Sequence, residues 1–421
     1  MLTIFVRGRQ LVTCFLLFMA KHHRPHCVAG PETVLQLPAI LQANGCRNPL
    51  LVTTEGTLRR GTLAPLFASL EKMTIGVTVF TGVVPDPTVA CVEMGVYRYR
   101  AQQCDAIVAV GGGSVLDCAK AIGARIARPT KTLQHMYGML RVAHPLPLLL
   151  AVPTTAGSGS EATAAVVLTD CTGGGHRKYP ICDLCLVPRY AILDPLLTVP
   201  MPPALTAQTG MDALTHAIEA YINLFASAYV KKQAQQAVQL IHGNLYAAFE
   251  NGANIAARAL MQKAAYQAGL AFSNHFVGYV HALAHGVGAL YGVPHGLATA
   301  VLLPVVLRAY GSAVTPALAY LAKAIGLAGE SEVQRANAFL HWIETLREQL
   351  KLPCCFPALR EKDFEELTMR AIQEANPNYP VPVLWSKKDF FFVLRAVLPC
   401  MAHPKTPKKS CKQIRKDSKN I

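Results

Sequence analysis

Charge is scarce in this 421-residue chain: 15% of residues are Asp, Glu, Lys or Arg, against 52% hydrophobic ones. So apolar a chain buries a large core, which excludes an intrinsically disordered protein. Aromatic residues are also few, at 7% with two tryptophans. Ala, Val, Leu and Gly dominate instead, a composition that suits closely packed helices and buried parallel strands. No C-x-x-C pair is matched by a second one: Cys182 and Cys185 stand alone, Cys354 and Cys355 are adjacent, and the rest of the thirteen cysteines are scattered. That excludes a zinc-finger framework. The odd count reads as reduced thiols filling small apolar sites in a cytosolic protein. No internal repeat is visible.

Acidic residues are outnumbered, 25 to 40, giving a formal charge of +15. Much of the excess lies in residues 404–421, where seven Lys or Arg accompany one Asp. This Pro- and Lys-rich end reads as a solvated, disordered tail. No zinc finger, RNP-like motif or basic helix accompanies it, so nucleic acid is not an expected partner.

At the other end, Arg7 and Arg9 precede an uncharged run at 11–20, with Lys21, His22, His23 and Arg24 directly after. Ten residues are too few to span a bilayer and match a signal-peptide core in length. No small-x-small cleavage site follows. The expectation is an extension over 1–27 that packs on the body or touches a membrane surface weakly, on a cytoplasmic protein.

The length suggests two domains. Short apolar runs at 50–54, 76–81, 106–110 and 148–152 read as buried strands, with helices at 32–44, 88–102 and 115–127 between them. That rhythm predicts a parallel α/β domain over 28–197. Pro200, Pro202 and Pro203 then punctuate a turn. Helical spacing follows, for example at 231–250 and 256–273, and predicts an all-α domain over 198–403.

Two loops carry ligand chemistry. A strand runs into Gly111-Gly112-Gly113-Ser114 and a helix begins. Glycines let backbone N–H groups approach a diphosphate, and the helix N-terminus favours an anion. Ser114 and Asp117 fit a capping box. The pattern is not the G-x-G-x-x-G fingerprint. A second loop, 152–163, also follows a strand and offers Thr154, Thr155, Ser158 and Ser160 hydroxyls beside Gly157 and Gly159. Two such loops at the strand ends of one sheet point to a shared ligand.

Farther on, Asp212 and His216 are four residues apart, as are His281 and His285, and His295 follows in Pro-His-Gly. On helices, that spacing puts each pair on one face. Five such groups among Ala- and Leu-rich helices are costly to desolvate without a partner. A transition metal is the simplest one, and spacing alone does not say which of the five bind it.

Taken together and in order, Gly-Gly-Gly-Ser-x-x-Asp-x-x-Lys at 111–120, Pro-Thr-Thr-Ala-Gly at 153–157, Gly-Met-Asp-Ala-Leu-Thr-His-Ala-Ile-Glu at 210–219, Gly-Tyr-Val-His-Ala-Leu-Ala-His at 278–285 and Pro-His-Gly at 294–296 resemble the iron-containing (group III) alcohol dehydrogenases. Asn-Pro-Asn-Tyr-Pro-Val-Pro at 376–382 resembles that family's C-terminal segment, and the match spans about residues 30 to 399. The resemblance implies a dehydroquinate-synthase-like fold with the site in the cleft between an α/β nucleotide-binding domain and a helical one. It implies that Asp212, His216, His281 and His295 ligate the metal, and that His285 lies near the nicotinamide and substrate. It places Gly112, Gly113, Ser114, Asp117, Thr154, Thr155 and Lys178 in the cofactor site, and Phe272 in the substrate pocket.

Three positions depart from the family pattern. Thr54 stands where many members carry an Asp for the adenosine ribose, with Glu55 next, so NADP is admitted beside NAD. Asp86 occupies a cofactor-site position where Asn is also found. His275 is a bulky insertion beside the pocket.

The resemblance therefore implies metal-dependent hydride transfer between a small primary alcohol or diol and NAD(P). Fe²⁺, or Zn²⁺, would polarise the alcohol oxygen, and His285 would relay the proton. Iron rests on the resemblance, since such ligands bind zinc as well. A homo-oligomer, most simply a homodimer, is expected. Within the same fold, the alternatives are a polyol dehydrogenase or a hydroxyacid–oxoacid transhydrogenase. From another class, the alternative is a non-catalytic nucleotide- and metal-binding protein tethered by its termini.

Overall fold

The computed structural model describes residues 2–19, 24–171, 177–273, 276–376 and 378–399. The basic tail and His275 lie outside these residues. Among the described residues there are nine strands: β1 (His26–Ala29), β2 (Pro49–Val52), β3 (Thr78–Phe80), β4 (Ala106–Gly111), β5 (Gly138–Met139), β6 (Leu148–Pro153), β7 (Ala165–Asp170), β8 (Arg177–Cys182) and β9 (Tyr190–Leu193). Six of them form a parallel sheet in the order β1-β9-β6-β4-β2-β3.

The central strands explain the layering. Every residue of β2 and β4 is buried. Alternate residues feed opposite faces, as the two-residue period of a strand requires. Leu50, Val52, Ile107, Ala109, Leu149 and Ala151 join one core with the helices Val89–Ala101 and Gly113–Ala127. Leu51, Ala106, Val108, Val110, Leu150 and Val152 join another with Leu37–Ala43 and Ala64–Lys72.

Three local expectations change. The single helix expected at 32–44 is a 3-10 turn, Thr33–Gln36, followed by an α-helix, Leu37–Ala43. Pro38 explains the break: it has no N–H to donate and is accommodated in a first turn. The strand expected at 76–81 is shorter, Thr78–Phe80. The proposed Ser114–Asp117 capping box does not form. The helix begins at Gly113 with Gly112 as an N-cap that has no side-chain bond, and both Asp117 oxygens are engaged elsewhere. A separate three-stranded sheet, β5-β8-β7, was not foreseen. Its β7–β8 pair is antiparallel and carries Lys178.

Beyond the 3-10 turn Pro195–Thr198, the described chain is helical. The helix Pro203–Ile222 packs against Ala228–Glu250, Ile255–Phe272 and His295–Tyr310, and one extended apolar core runs through these helices. The segment His295–Ala313 is apolar and long enough to cross a membrane by composition, yet just over half of it is buried in this core.

The N-terminal extension is a helix, Leu2–Met19. Gln10, fully buried, donates to Asn376 O at 2.9 Å and Tyr379 O at 2.8 Å. Arg7 Nη2 donates to Pro382 O at 3.4 Å. The extension therefore rests on segment 376–382, leaving Ile4, Phe5, Leu11 and Val12 exposed.

Candidate active site

Three helices converge on one cluster, whose Asp212, His216 and His281 are buried. Pro203–Ile222 supplies Asp212 and His216, Tyr279–Tyr291 supplies His281 and His285, and His295 opens the helix His295–Tyr310. One ligand atom from each of Asp212, His216 and His281 lies within 4.8 Å of the other two. His295 Nε2 is 3.4 Å and His281 Nε2 3.6 Å from Asp212 Oδ1, and His216 Nδ1 is 3.9 Å from Asp212 Oδ2. Phe272 stacks on the His216 ring at 4.2 Å between centroids.

The donor set fits a metal ion. His216 Nδ1 and His281 Nε2 are buried and have no hydrogen-bond partner. An orphaned buried polar atom costs about 1–3 kcal/mol, and two of them turned on one carboxylate are what a cation would satisfy. The protonation of His216, His295 and Asp212 agrees. Burial drives His216 down to about 3 despite the nearby Asp212. Burial likewise drives His295 well below its usual range. For Asp212, burial acts upward, but His216 and His295 outweigh it and hold the carboxyl below the ordinary range. Neutral imidazole and ionised carboxylate are the ligating forms.

Glu219 escaped the sequence reading as a functional residue. Its side chain is buried, and Oε2 accepts from His281 Nδ1 at 2.5 Å. Burial lowers the His281 pKa, but Glu219, with Asp212, reverses this and lifts it to about 9. A carboxylate on the far nitrogen fixes the tautomer and orients the ligating one. The available signal was its place on the Asp212–His216 face, seven residues after Asp212.

His285 sits apart from this set. Its Nδ1 bonds Glu374 Oε1 at 2.8 Å, and Tyr379 donates to the same oxygen at 2.8 Å. The His285 ring stacks on His295 at 5.2 Å, and its side chain keeps 20% exposure. Glu374 and Tyr379 lie some ninety residues away in sequence, so only the fold reveals them.

The two glycine-rich loops meet. Thr154 N donates to Gly111 O at 2.9 Å. A Cβ at Gly113 would lie 2.9 Å from Ser158 Cβ, so only glycine permits this approach. Asp117 accepts from Ser160 Oγ at 2.6 Å and Val167 N at 3.0 Å. Buried Lys120 donates to Thr163 O and Oγ1, both at 2.9 Å, and to Ser160 Oγ at 3.0 Å. Two side chains of the 111–120 motif thus clamp the second loop onto the first. Gly112, Ser114, Thr154 and Thr155 remain partly accessible around the junction. Lys178 and Asp86 are brought together at 2.9 Å, and Thr54 caps the short helix Glu55–Arg59.

Residues 25–195 match the family described as iron-containing alcohol dehydrogenase, and residues 206–398 match the C-terminal part of the same family. The chain belongs to the iron-containing alcohol dehydrogenase family. It is accordingly a metal-dependent, NAD(P)-linked alcohol dehydrogenase. It is 38% identical over 353 residues to the 1,3-propanediol dehydrogenase of Klebsiella pneumoniae, covering 82% of this chain and 90% of that one. It is 34% identical to the NADPH-dependent butanol dehydrogenase of Clostridium saccharobutylicum, covering 78% and 86%. The enzyme superimposes on the crystal structure of a 1,3-propanediol oxidoreductase with a TM-score of 0.85, at 36% identity over 89% of this chain and 98% of that chain.

Proposed function

We propose that this enzyme interconverts small primary alcohols or diols and their aldehydes, with NAD or NADP as the hydride carrier. The observation that carries this reading is the buried Asp212–His216–His281 cluster with its two unpartnered imidazole nitrogens. The similarity to a 1,3-propanediol dehydrogenase supports a short diol as substrate. Asp212, His216, His281 and His295 would hold Fe²⁺ or Zn²⁺, and the family resemblance favours iron.

When bound, the metal supplies Lewis-acid polarisation of the substrate oxygen, and the nicotinamide accepts or supplies hydride. The chain's own side chains do the rest. Glu219 orients His281. Phe272, flat on His216, forms an apolar wall that excludes water. Gly112, Gly113, Ser114, Thr154 and Thr155 line the diphosphate cradle, which Asp117 and Lys120 brace from beneath. Lys178 and Asp86 border the cofactor cleft. His285 moves the hydroxyl proton towards solvent, held in orientation by Glu374 and Tyr379. A cytoplasmic homo-oligomer is part of the same reading. Weak membrane contact through exposed Ile4, Phe5, Leu11 and Val12 belongs to it as well.

The test is anaerobic NAD(P) reduction by metal-stripped protein, before and after adding Fe²⁺ or Zn²⁺. The panel holds short primary alcohols, diols, glycerol and hydroxyacids. Metal-dependent turnover with short alcohols or diols is expected. Stoichiometric metal and nucleotide binding without turnover of any alcohol would overturn the reading.

A further inference from the structure

The N-terminal helix Leu2–Met19 lies outside the family match, which begins at residue 25. Neither the metal set nor the glycine-rich loops use it. Side chains of this helix are described over residues 4–12. Among them Gln10 alone is buried, at 0% exposure, while Ile4, Phe5, Leu11 and Val12 face outwards. A helix held by hydrophobic burial would do the opposite. The docking is polar, and a buried amide is tolerated only when its hydrogen bonds are made.

Those bonds converge on one segment. Gln10 Nε2 donates to Asn376 O at 2.9 Å and to Tyr379 O at 2.8 Å, and Gln10 Oε1 accepts from Arg7 Nη1 at 3.0 Å. The reverse amide orientation would set an oxygen against two carbonyls and an NH2 against a guanidinium, so the side chain has one sense. Arg7 Nη2 also reaches Pro382 O at 3.4 Å. Asn376 directly follows the helix Phe364–Ala375, where the last carbonyls have no partner within the helix. Gln10 supplies a donor there from 366 residues away.

The same segment carries the support of His285. Tyr379 gives its carbonyl to Gln10 and its hydroxyl to Glu374 Oε1, at 2.8 Å, the oxygen that also accepts from His285 Nδ1 at 2.8 Å. Asn378 Nδ2 donates to the Glu374 carbonyl at 3.0 Å. Asn376 Oδ1 accepts at 2.6 Å from the hydroxyl of Tyr279, on the helix that bears His281 and His285. The Glu374 side chain keeps 27% exposure, so without the Tyr379 hydroxyl its carboxylate has solvent to turn to. A line of contacts thus runs from Gln10 through the Tyr379 backbone and hydroxyl to Glu374 and His285.

We propose that Gln10 is a positioning residue for the proton relay: it fixes segment 376–382 so that Tyr379 holds Glu374 in line with His285. The proposal rests on the relay role given to His285.

Steady-state kinetics and amide hydrogen exchange of the metal-loaded, full-length protein test it. Gln10→Met, close in length but without donors, should lower kcat about tenfold, because small misplacements of catalytic groups are costly. The KM for the nucleotide and the metal stoichiometry should not change. Gln10→Glu, which keeps the shape but has no N–H to donate, should lose as much. Arg9→Ala, at an exposed position of the same helix, should leave kcat unchanged. The amides of Asn378, Tyr379 and Val381 should exchange faster in both Gln10 variants. The double variant decides between positioning and general loosening. Tyr379→Phe keeps the carbonyl and removes the hydroxyl, so adding Gln10→Met to it should cost no more than about twofold further. Multiplicative losses in the double variant, or an equal loss from Arg9→Ala, would overturn the proposal. If His285→Ala lowers kcat and Gln10→Met does not, the positioning role alone has failed. If His285→Ala also leaves kcat unchanged, the relay reading itself has failed.

Discussion

Glu219 and His281 share a hydrogen bond of 2.5 Å, and the same carboxylate accepts the backbone N–H groups of Gly278 and Val280, each at 2.8 Å. One buried side chain thus starts the helix Tyr279–Tyr291 and aims an imidazole. A carboxylate at a helix N-terminus is favoured by the exposed donors and the dipole there. That is why a charge as buried as Glu219 is tolerated, and why His281 Nε2 has one direction available to it.

Replacing Glu219 with Gln should therefore weaken the metal site without removing a ligand. Loss of such an outer partner typically costs 10–100-fold in metal affinity. Metal titration of the stripped protein reads this directly. An unchanged dissociation constant would show that Glu219 serves the helix start alone. His281→Ala should abolish metal binding and activity together.

His285 is expected to behave differently. His285→Ala should retain full metal stoichiometry while kcat falls by about 10²–10⁴-fold, the usual contribution of a general acid–base group. Glu374→Gln should shift the pH profile of kcat/KM rather than abolish activity, since it acts through the imidazole at 2.8 Å. Loss of metal from His285→Ala would move His285 into the ligand set.

Gly159 is where the second loop presses on the helix Ile255–Phe272. Its φ is +62°, and a Cβ there would lie 2.7 Å from both Ala265 O and Gly269 Cα. Gly159→Ala should lower the thermal midpoint by several degrees, because left-handed strain and a backbone clash together cost about 1–3 kcal/mol. Ala at Gly243, where a Cβ would meet nothing within 4 Å, should leave the midpoint unchanged or raise it. Equal midpoints for the two variants would refute the clash.

Glu161 gives the fold a pH dependence. Burial raises its pKa to about 7 from an ordinary 4.5, against the opposing pull of its own backbone hydrogen bond and Lys120. The folded state then binds more protons than the unfolded state between these values. Stability from this group is present below pH 4.5 and is lost as pH rises towards 7. Glu161→Gln should flatten the decline over that window, with the largest gain near pH 7. Urea unfolding at pH 5 and pH 7 checks the sign, and an equal effect at both values would refute it.

Much of this architecture is legible in the chain itself. The apolar runs at 50–54, 106–110 and 148–152 are strands because a parallel sheet covered on both faces requires continuous burial. The i, i+4 spacing of Asp212 and His216 shares a helix face whatever surrounds it. Glycine at 111–113 announces a close backbone approach because no other residue permits it. These are local properties, fixed by covalent geometry and side-chain period. The Ser114–Asp117 capping box was a local reading too, and it failed because Ser160 and Val167, more than forty residues on, compete for the Asp117 carboxylate.

What the chain order could not supply was the choice among partners distant in sequence. His281 and His285 are equivalent by spacing. Glu219 behind one and Glu374 behind the other give them different roles, and both contacts exist only once the helices pack. The sequence by itself determined the elements and the stock of ligating groups, because those follow from local period and chemistry. The tertiary structure alone decided their orientation and pairing, because a hydrogen bond across sixty or ninety residues is set by packing.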